Sequence, residues 1–291
     1  MKIYTILSPS HKFLFDNFFL PSLNKHEPNC ELIVIDQEQI CETGNYYDSG
    51  WKESMEQKID VYLQAVNETE DKFFIWSDVD IEFYDSFINQ CIEELGDHDI
   101  AFQEGVGNEC CAGFFIAKIN DRTKKFFQLL KEKYHNYTCD QQAINANIRS
   151  IDATFLSKQF LNISFQHRQW NGQYVSLNDP IVMFHANYTV GLQHKIMLLS
   201  RIRDRLENMA LNKKNSQPKK NKSNIKIINA FYGLYSDVTE NLLQSDNEIV
   251  VSIDALRSDP VPGGIKFLYC FDKDNKILNR PIREGLSVRL I

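Results

Sequence analysis

Twelve glycines and eight prolines in 291 residues are too few for a collagen-like or low-complexity chain. Positive charge is also short, with 32 Lys and Arg against 39 Asp and Glu for a net charge of −7. Five of the lysines fall within residues 212–224 (NKKNSQPKKNKSN), a stretch without acids, so the rest of the chain carries −12. That balance argues against nucleic acid as the main partner. No run approaches the ~18 apolar residues of a membrane span. The apolar run IYTIL after Lys2 stops at Ser8-Pro9, too short for a signal-peptide core. The expectation is a soluble, cytoplasmic protein, in which the sequons at Asn67, Asn136, Asn162 and Asn187 have no role. The seven cysteines (30, 41, 91, 110, 111, 139 and 270) include no CxxC pair, which leaves reduced thiols as the default.

What is present is apolar and aromatic. Hydrophobic residues make up 43% of the chain, with 20 Phe and 12 Tyr, enough for a real core. The length suggests about two domains at about 150 residues each. KIYTILS, HKFLFDNFFLPSL and ELIVID read as strand, helix and strand. Trp51, Met55, Ile59, Leu63 and Val66 share a helical face, and FFIWSDVDIEFY from Phe73 reads as an apolar strand running into acids. DIAFQE, GFFIAKI, a helix striped by Phe126, Leu130 and Tyr134, and the strand PIVMFHA from Pro180 continue the alternation. A mainly parallel sheet covered by helices is expected over residues 1–211, closing with a helix from near Gly191. Residues 212–224 read as a lysine-rich linker. Residues 225–291 read as a small β-rich module, whose short apolar runs are separated by turns such as Asp259-Pro260 and Gly263-Gly264.

Asp78-Val79-Asp80 is the sharpest local feature. Two carboxylates two residues apart on extended backbone point the same way and can converge on one hard cation, Mn2+ or Mg2+. A solvated strand end is the commoner explanation of such a pair taken alone. His185, at the end of PIVMF, is expected on the same sheet edge, although a lone histidine there is more often a hydrogen-bonded core residue. The spacing of His185, Asn187, Gly191 and Lys195 adds a glycine that opens a helix and a lysine one turn inside it, a combination suited to phosphate.

The order of DVD after an apolar strand, then CAGFF, DQQAIN and FHANYTVGLQHK resembles the nucleotide-diphospho-sugar transferases of the GT-A fold, a Rossmann-like nucleotide-sugar-binding domain. The likeness is strongest to the family that includes plant xylosyl- and galactosyltransferases, and it spans roughly the first 210 residues. It implies Asp78, Asp80 and His185 as ligands of Mn2+ on the diphosphate of a nucleotide-sugar donor, with UDP as the nucleotide. It places Ile6, Leu7 and Ser8 against the base and ribose and adds Lys58, Ser77, Asn187, Gly191 and Lys195 to the donor contacts. An exposed helix lysine is the plainer account of Lys58. Ala112 and Gly113 resemble the floor beneath the donor sugar, where small residues leave room. Asp140 and Gln141 resemble the dipeptide beside the anomeric carbon, although Asp140 would also serve as a helix N-cap. Asp140 would be a base in an inverting enzyme or would stabilise positive charge in a retaining one, and the resemblance favours retention. The acceptor would be a glycan or another hydroxyl compound.

Two other readings compete. One is a haloacid-dehalogenase-like phosphatase with Asp78 and Asp80 as nucleophile and acid, which would want Thr or Val where Glu82 stands. The other is a sugar-binding or nucleotide-sugar-binding protein without turnover. The C-terminal segments AFYG, DVTENL and SDPVPGGIKFLYCF resemble a small β domain at the end of some DnaJ-like cochaperones, which implies recognition or packing.

Overall fold

A computed structural model describes residues 1–42, 48–163, 169–177 and 180–215, together with the strands at 229–232, 236–237, 248–250, 267–271, 282–283 and 287–289. Strand β1 (Lys2–Leu7) leads into a continuous helical stretch made of α1 (Lys12–Leu14), one π turn (Phe15–Phe19) and α2 (Leu20–His26). Next come β2 (Glu31–Asp36), α3 (Trp51–Glu68), β3 (Phe73–Ser77), β4 (Ile81–Phe83), α4 (Ile88–Leu95), β5 (Ile100–Glu104) and β6 (Cys110–Lys118). After α5 (Asp121–Lys133) and α6 (Asp140–Asn147) follow β7 (Ala153–Phe155), β8 (Phe160–Asn162), β9 (Met183–His185) and α7 (Leu192–Asn215).

The main sheet has the order β2-β1-β3-β6-β5-β7. It is α/β and mostly parallel as expected, but β6 runs against both of its neighbours. Its two faces carry separate cores. Ile59, Tyr62 and Val66 of α3 and Phe126, Phe127 and Leu130 of α5 cover one of them, and Phe15, Phe19, Cys91 and Leu95 help to cover the other. ELIVID forms the half-buried edge strand β2.

FFIWSDVDIEFY is two strands and not one. β3 belongs to the main sheet, whereas β4 joins a three-stranded sheet of order β4-β9-β8. The crossing happens at Asp78–Asp80. Asp78 N–H still donates to Gly113 O of β6 at 2.7 Å, while Asp80 O accepts from Ala186 N–H at 2.9 Å, just past β9. His185 therefore lies in the smaller sheet, opposite Ile81, and not on the main sheet's edge as expected. The reason is local: a backbone that has lost its partner on one ladder satisfies its next polar groups on another.

Residues 1–170 and 177–202 form one compact unit, and residues 171–176 and 203–291 a second. In the second unit β10 (Asn229–Tyr232), β11 (Ser236–Asp237), β13 (Phe267–Phe271) and β14 (Ile282–Arg283) pair antiparallel, and β12 (Glu248–Val250) pairs with β15 (Ser287–Arg289). Helix α7 continues to Asn215, into the stretch read as linker. The remainder of that stretch and the turns at Asp259-Pro260 and Gly263-Gly264 lie outside the described residues. No helix among the described residues is long and apolar enough to cross a membrane.

Candidate active site

The link between β3 and β4, the end of β9 and the middle of β6 meet at one point. One ligand atom from each of Asp78, Asp80 and His185 lies within 4.8 Å of the others. His185 Nε2 is 3.3 Å from Asp80 Oδ1, and Lys195 Nζ is 2.7 Å from Asp80 Oδ2. The backbone of β6 makes the meeting possible. Its register with β5 shifts between Phe102 and Gln103, so that Phe102 faces Phe115 but Gln103 faces Cys111. Ala112, Gly113 and Phe114 fill the irregularity, a common device beside active sites. A Cβ on Gly113 would collide with His185 Cε1 and stand 2.9 Å from Nε2 and 3.0 Å from Asp78 Oδ2. Glycine thus leaves the imidazole and the carboxylate room to share one point.

Lys58 is no surface lysine. Buried on α3, it reaches Asp78 Oδ1 at 2.9 Å and Asp140 Oδ2 at 2.8 Å. Tyr62, one turn on, donates to the same Asp140 oxygen at 3.0 Å. Asp140 is therefore not the N-cap of α6: Cys139 holds that position, and the Asp140 side chain turns inward instead. Gln141 Nε2 donates to Tyr188 Oη at 3.1 Å. Tyr188 has φ +50, uncommon for a bulky residue and frequent where function holds a backbone in place.

Burial and charge pull the ionisable groups apart. Burial alone would raise the Asp80 carboxyl, but Lys195 and then His185 outweigh it and hold it well below the usual range. At Asp78 burial prevails over Lys58, and the carboxyl is raised. Burial opposes protonation of His185, yet Asp80 beside it lifts the imidazole to about 10. Burial would also lower Lys58, but Asp140 and Asp78 raise it well above its ordinary value.

These groups line a cavity of about 340 Å3 that also includes Ala112, Gly113, Asp140, Gln141, Asn187 and Gly191. A second pocket shares Asp78, Asp80, Lys58 and Lys195 and extends past Ile6 and Ser8 to Gln37 and Gln39. Leu7 packs against the opposite core and lines neither, and Ser77 is fully buried with its hydroxyl on Asp78 O at 3.1 Å. Asn187 is held at both ends, accepting from Ile163 N–H at 3.1 Å and donating to Cys111 Sγ at 3.4 Å. Gly191 has φ +92, so its glycine serves the backbone turn before α7; a Cβ there would meet only His194 Nδ1, at 3.8 Å. Sequence reasoning missed His11, which lines both pockets and is held at about 4 by burial and by Lys195. Trp51 and Met55, on the apolar face of α3 as expected, also line both pockets, and Met55 packs against the core as well.

The model of the family described as nucleotide-diphospho-sugar transferase matches residues 13–199. The chain belongs to that family. This transferase keeps every expected site residue inside the matched span except Ile6, Leu7 and Ser8. Among solved structures the transferase is similar to the galactosyltransferase LgtC in complex with donor and acceptor sugar analogs, at 13% identity over 64% of this chain and 87% of that one, with a TM-score of 0.43. It is also similar to the glycosyltransferase GlyE of Streptococcus pneumoniae TIGR4, at 16% identity over 78% of this chain and 67% of that one, with a TM-score of 0.43. A search of curated protein sequences gives no match. Family membership supports a glycosyltransferase and removes the phosphatase reading. Consistent with that, Glu82 is buried in β4 with Tyr84 Oη donating to it at 3.0 Å, and it lines neither pocket.

Proposed function

We propose that this glycosyltransferase moves a sugar from a UDP-sugar to a hydroxyl of a glycan or similar acceptor, with Mn2+ or Mg2+ held by Asp78, Asp80 and His185. The observation that carries the reading is the meeting of two carboxylates and one imidazole over a glycine that admits no Cβ. Carboxylate oxygens and an imidazole nitrogen suit such an ion, which on binding would displace the Nε2 proton that Asp80 otherwise holds on the ring. Bound there, a divalent cation supplies positive charge to a diphosphate leaving group. The chain's own groups do the rest. Lys195, one turn into α7, and the backbone near Gly191 offer positive charge to phosphate. Lys58 ties Asp78 to Asp140, so the diphosphate end of the site and its sugar end share one buried cation. Ala112 and Gly113 keep the cavity floor low for a sugar ring, and Gln141, steered by Tyr188, presents its amide to the same space. In this reading Asp140, which lines the cavity, steadies positive charge at the anomeric carbon, and retention is the outcome we favour.

Thermal shift across a panel of nucleotide sugars, with and without Mn2+, tests the reading. A ligand that binds only the native state raises its melting temperature. A UDP-sugar should raise it strongly only when Mn2+ is present. A panel that leaves the melting temperature unmoved under both conditions overturns the proposal.

A further inference from the structure

Gln103 is a fully buried amide in the apolar strand β5, at the point where the β5–β6 register shifts. Its Nε2 donates to two backbone carbonyls, Phe160 O at 3.0 Å and Leu161 O at 3.2 Å. Its Oε1 lies 2.8 Å from His185 Nδ1. The orientation of an amide at such a position follows from the whole network. Turned the other way, the amide would set its oxygen against two carbonyl oxygens in a fully buried site, and that arrangement is strongly disfavoured. With Oε1 facing the ring, Nδ1 must carry a proton, because a bare nitrogen would oppose its lone pair to that of the oxygen. The other neighbour of Nδ1, Cys111 Sγ at 3.7 Å, is a weak acceptor and competes poorly.

We propose that Gln103 is a positioning residue that fixes the proton of His185 on Nδ1 and so reserves Nε2 for a divalent ion shared with Asp78 and Asp80. The inference rests on the metal reading given above and deepens it. A histidine ligand needs its second nitrogen satisfied to hold both its tautomer and its ring orientation. Here the partner is a neutral amide whose own donors are tied to the chain just before β9's parallel neighbour ends, so the imidazole is clamped from the smaller sheet's side. Gln103 would touch neither donor nor ion, and its effect would reach the reaction only through His185.

Mn2+ titration followed by electron paramagnetic resonance, with spin-echo detection of a bound imidazole nitrogen, separates the possibilities without any turnover. Wild type should bind Mn2+ with nitrogen modulation, and His185→Ala should lack that modulation. Gln103→Leu should bind about 10- to 100-fold more weakly, with the modulation reduced, the usual scale for loss of an outer partner. Gln103→Glu keeps an acceptor for Nδ1–H but loses both donors to Phe160 and Leu161. It should melt at a lower temperature yet bind Mn2+ within a few-fold of wild type, with the modulation intact. A purely structural Gln103 would lower the melting temperature in both variants and leave Mn2+ affinity alone, or weaken binding equally in both, and either result overturns the proposal. Gln103→Met carries the same expectation as the leucine variant and stands in for it if that variant does not fold. Wild type without nitrogen modulation would bring down the metal reading itself, and this inference with it, before any Gln103 variant is measured.

Discussion

Gly113 sets the tolerance of the site at the scale of one atom. Its O accepts from Asp78 N–H, and its missing side chain is the space that His185 and Asp78 occupy. Gly113→Ala should therefore fold with the same sheet but bind Mn2+ about 10- to 100-fold more weakly, the scale on which displaced ligands lose affinity. Titration calorimetry with a melting curve on the same sample would measure both. His11 gives a pH signature. Its imidazole is lowered from about 6.5 to about 4, so folding favours the neutral ring. The stability this contributes is complete above pH 6.5 and is lost as the pH falls towards 4. His11→Asn should flatten the decline in melting temperature over that window, and matching slopes for the two proteins would contradict the assignment. In the ion-free protein His185 has the opposite sign: raised to about 10, it contributes stability below pH 6.5 that disappears as the pH rises through 10.

Helix α3 shows what an element adds. Its apolar spacing correctly predicts a helix, but the same face buries Lys58 and Tyr62 and carries them to Asp140 on α6. Hydrophobic periodicity does not register a lysine whose charge is matched across the fold, which is why an exposed lysine looked the plainer account. Asp140→Asn should keep Mn2+-dependent nucleotide binding while lowering kcat by about 10²-fold or more, a loss confined to the transition state. Unchanged kcat would remove Asp140 from the chemistry. Helix α5 offers a control. Asn120 accepts from the backbone N–H groups of Arg122 and Thr123, and Thr123 Oγ1 accepts from Asn120 N–H in return. Asn120→Ala should cost about 1 kcal/mol in chemical denaturation, with kcat unchanged. The strand ending in DVD was legible as an apolar run. Its division between two sheets was not, because short apolar segments look alike whether one ladder or two receive them.

Across the whole molecule, the site depends on a core that is nearly continuous in aromatic rings on one side of the main sheet. Phe115 packs edge-on or tilted against Tyr62, Phe74, Phe102 and Phe127, with ring centroids 5.1 to 6.0 Å away. Phe115→Ala should cost about 3–5 kcal/mol and loosen the strand that carries Ala112 and Gly113. Equilibrium denaturation would read the first effect and Mn2+ affinity the second. The sequence by itself determined the alternation of strands and helices, the acid pair, the histidine and the lysines, because periodicity and residue chemistry are written along the chain. Only the tertiary structure decided that Asp78 and Asp80 bridge two sheets, that Lys58 is buried between two carboxylates, and that Gln103 faces His185. Each of those facts is a meeting of residues far apart in sequence, and it is the packing of β5, β6 and β9, and of α3 against β3 and α6, that brings them within hydrogen-bonding distance.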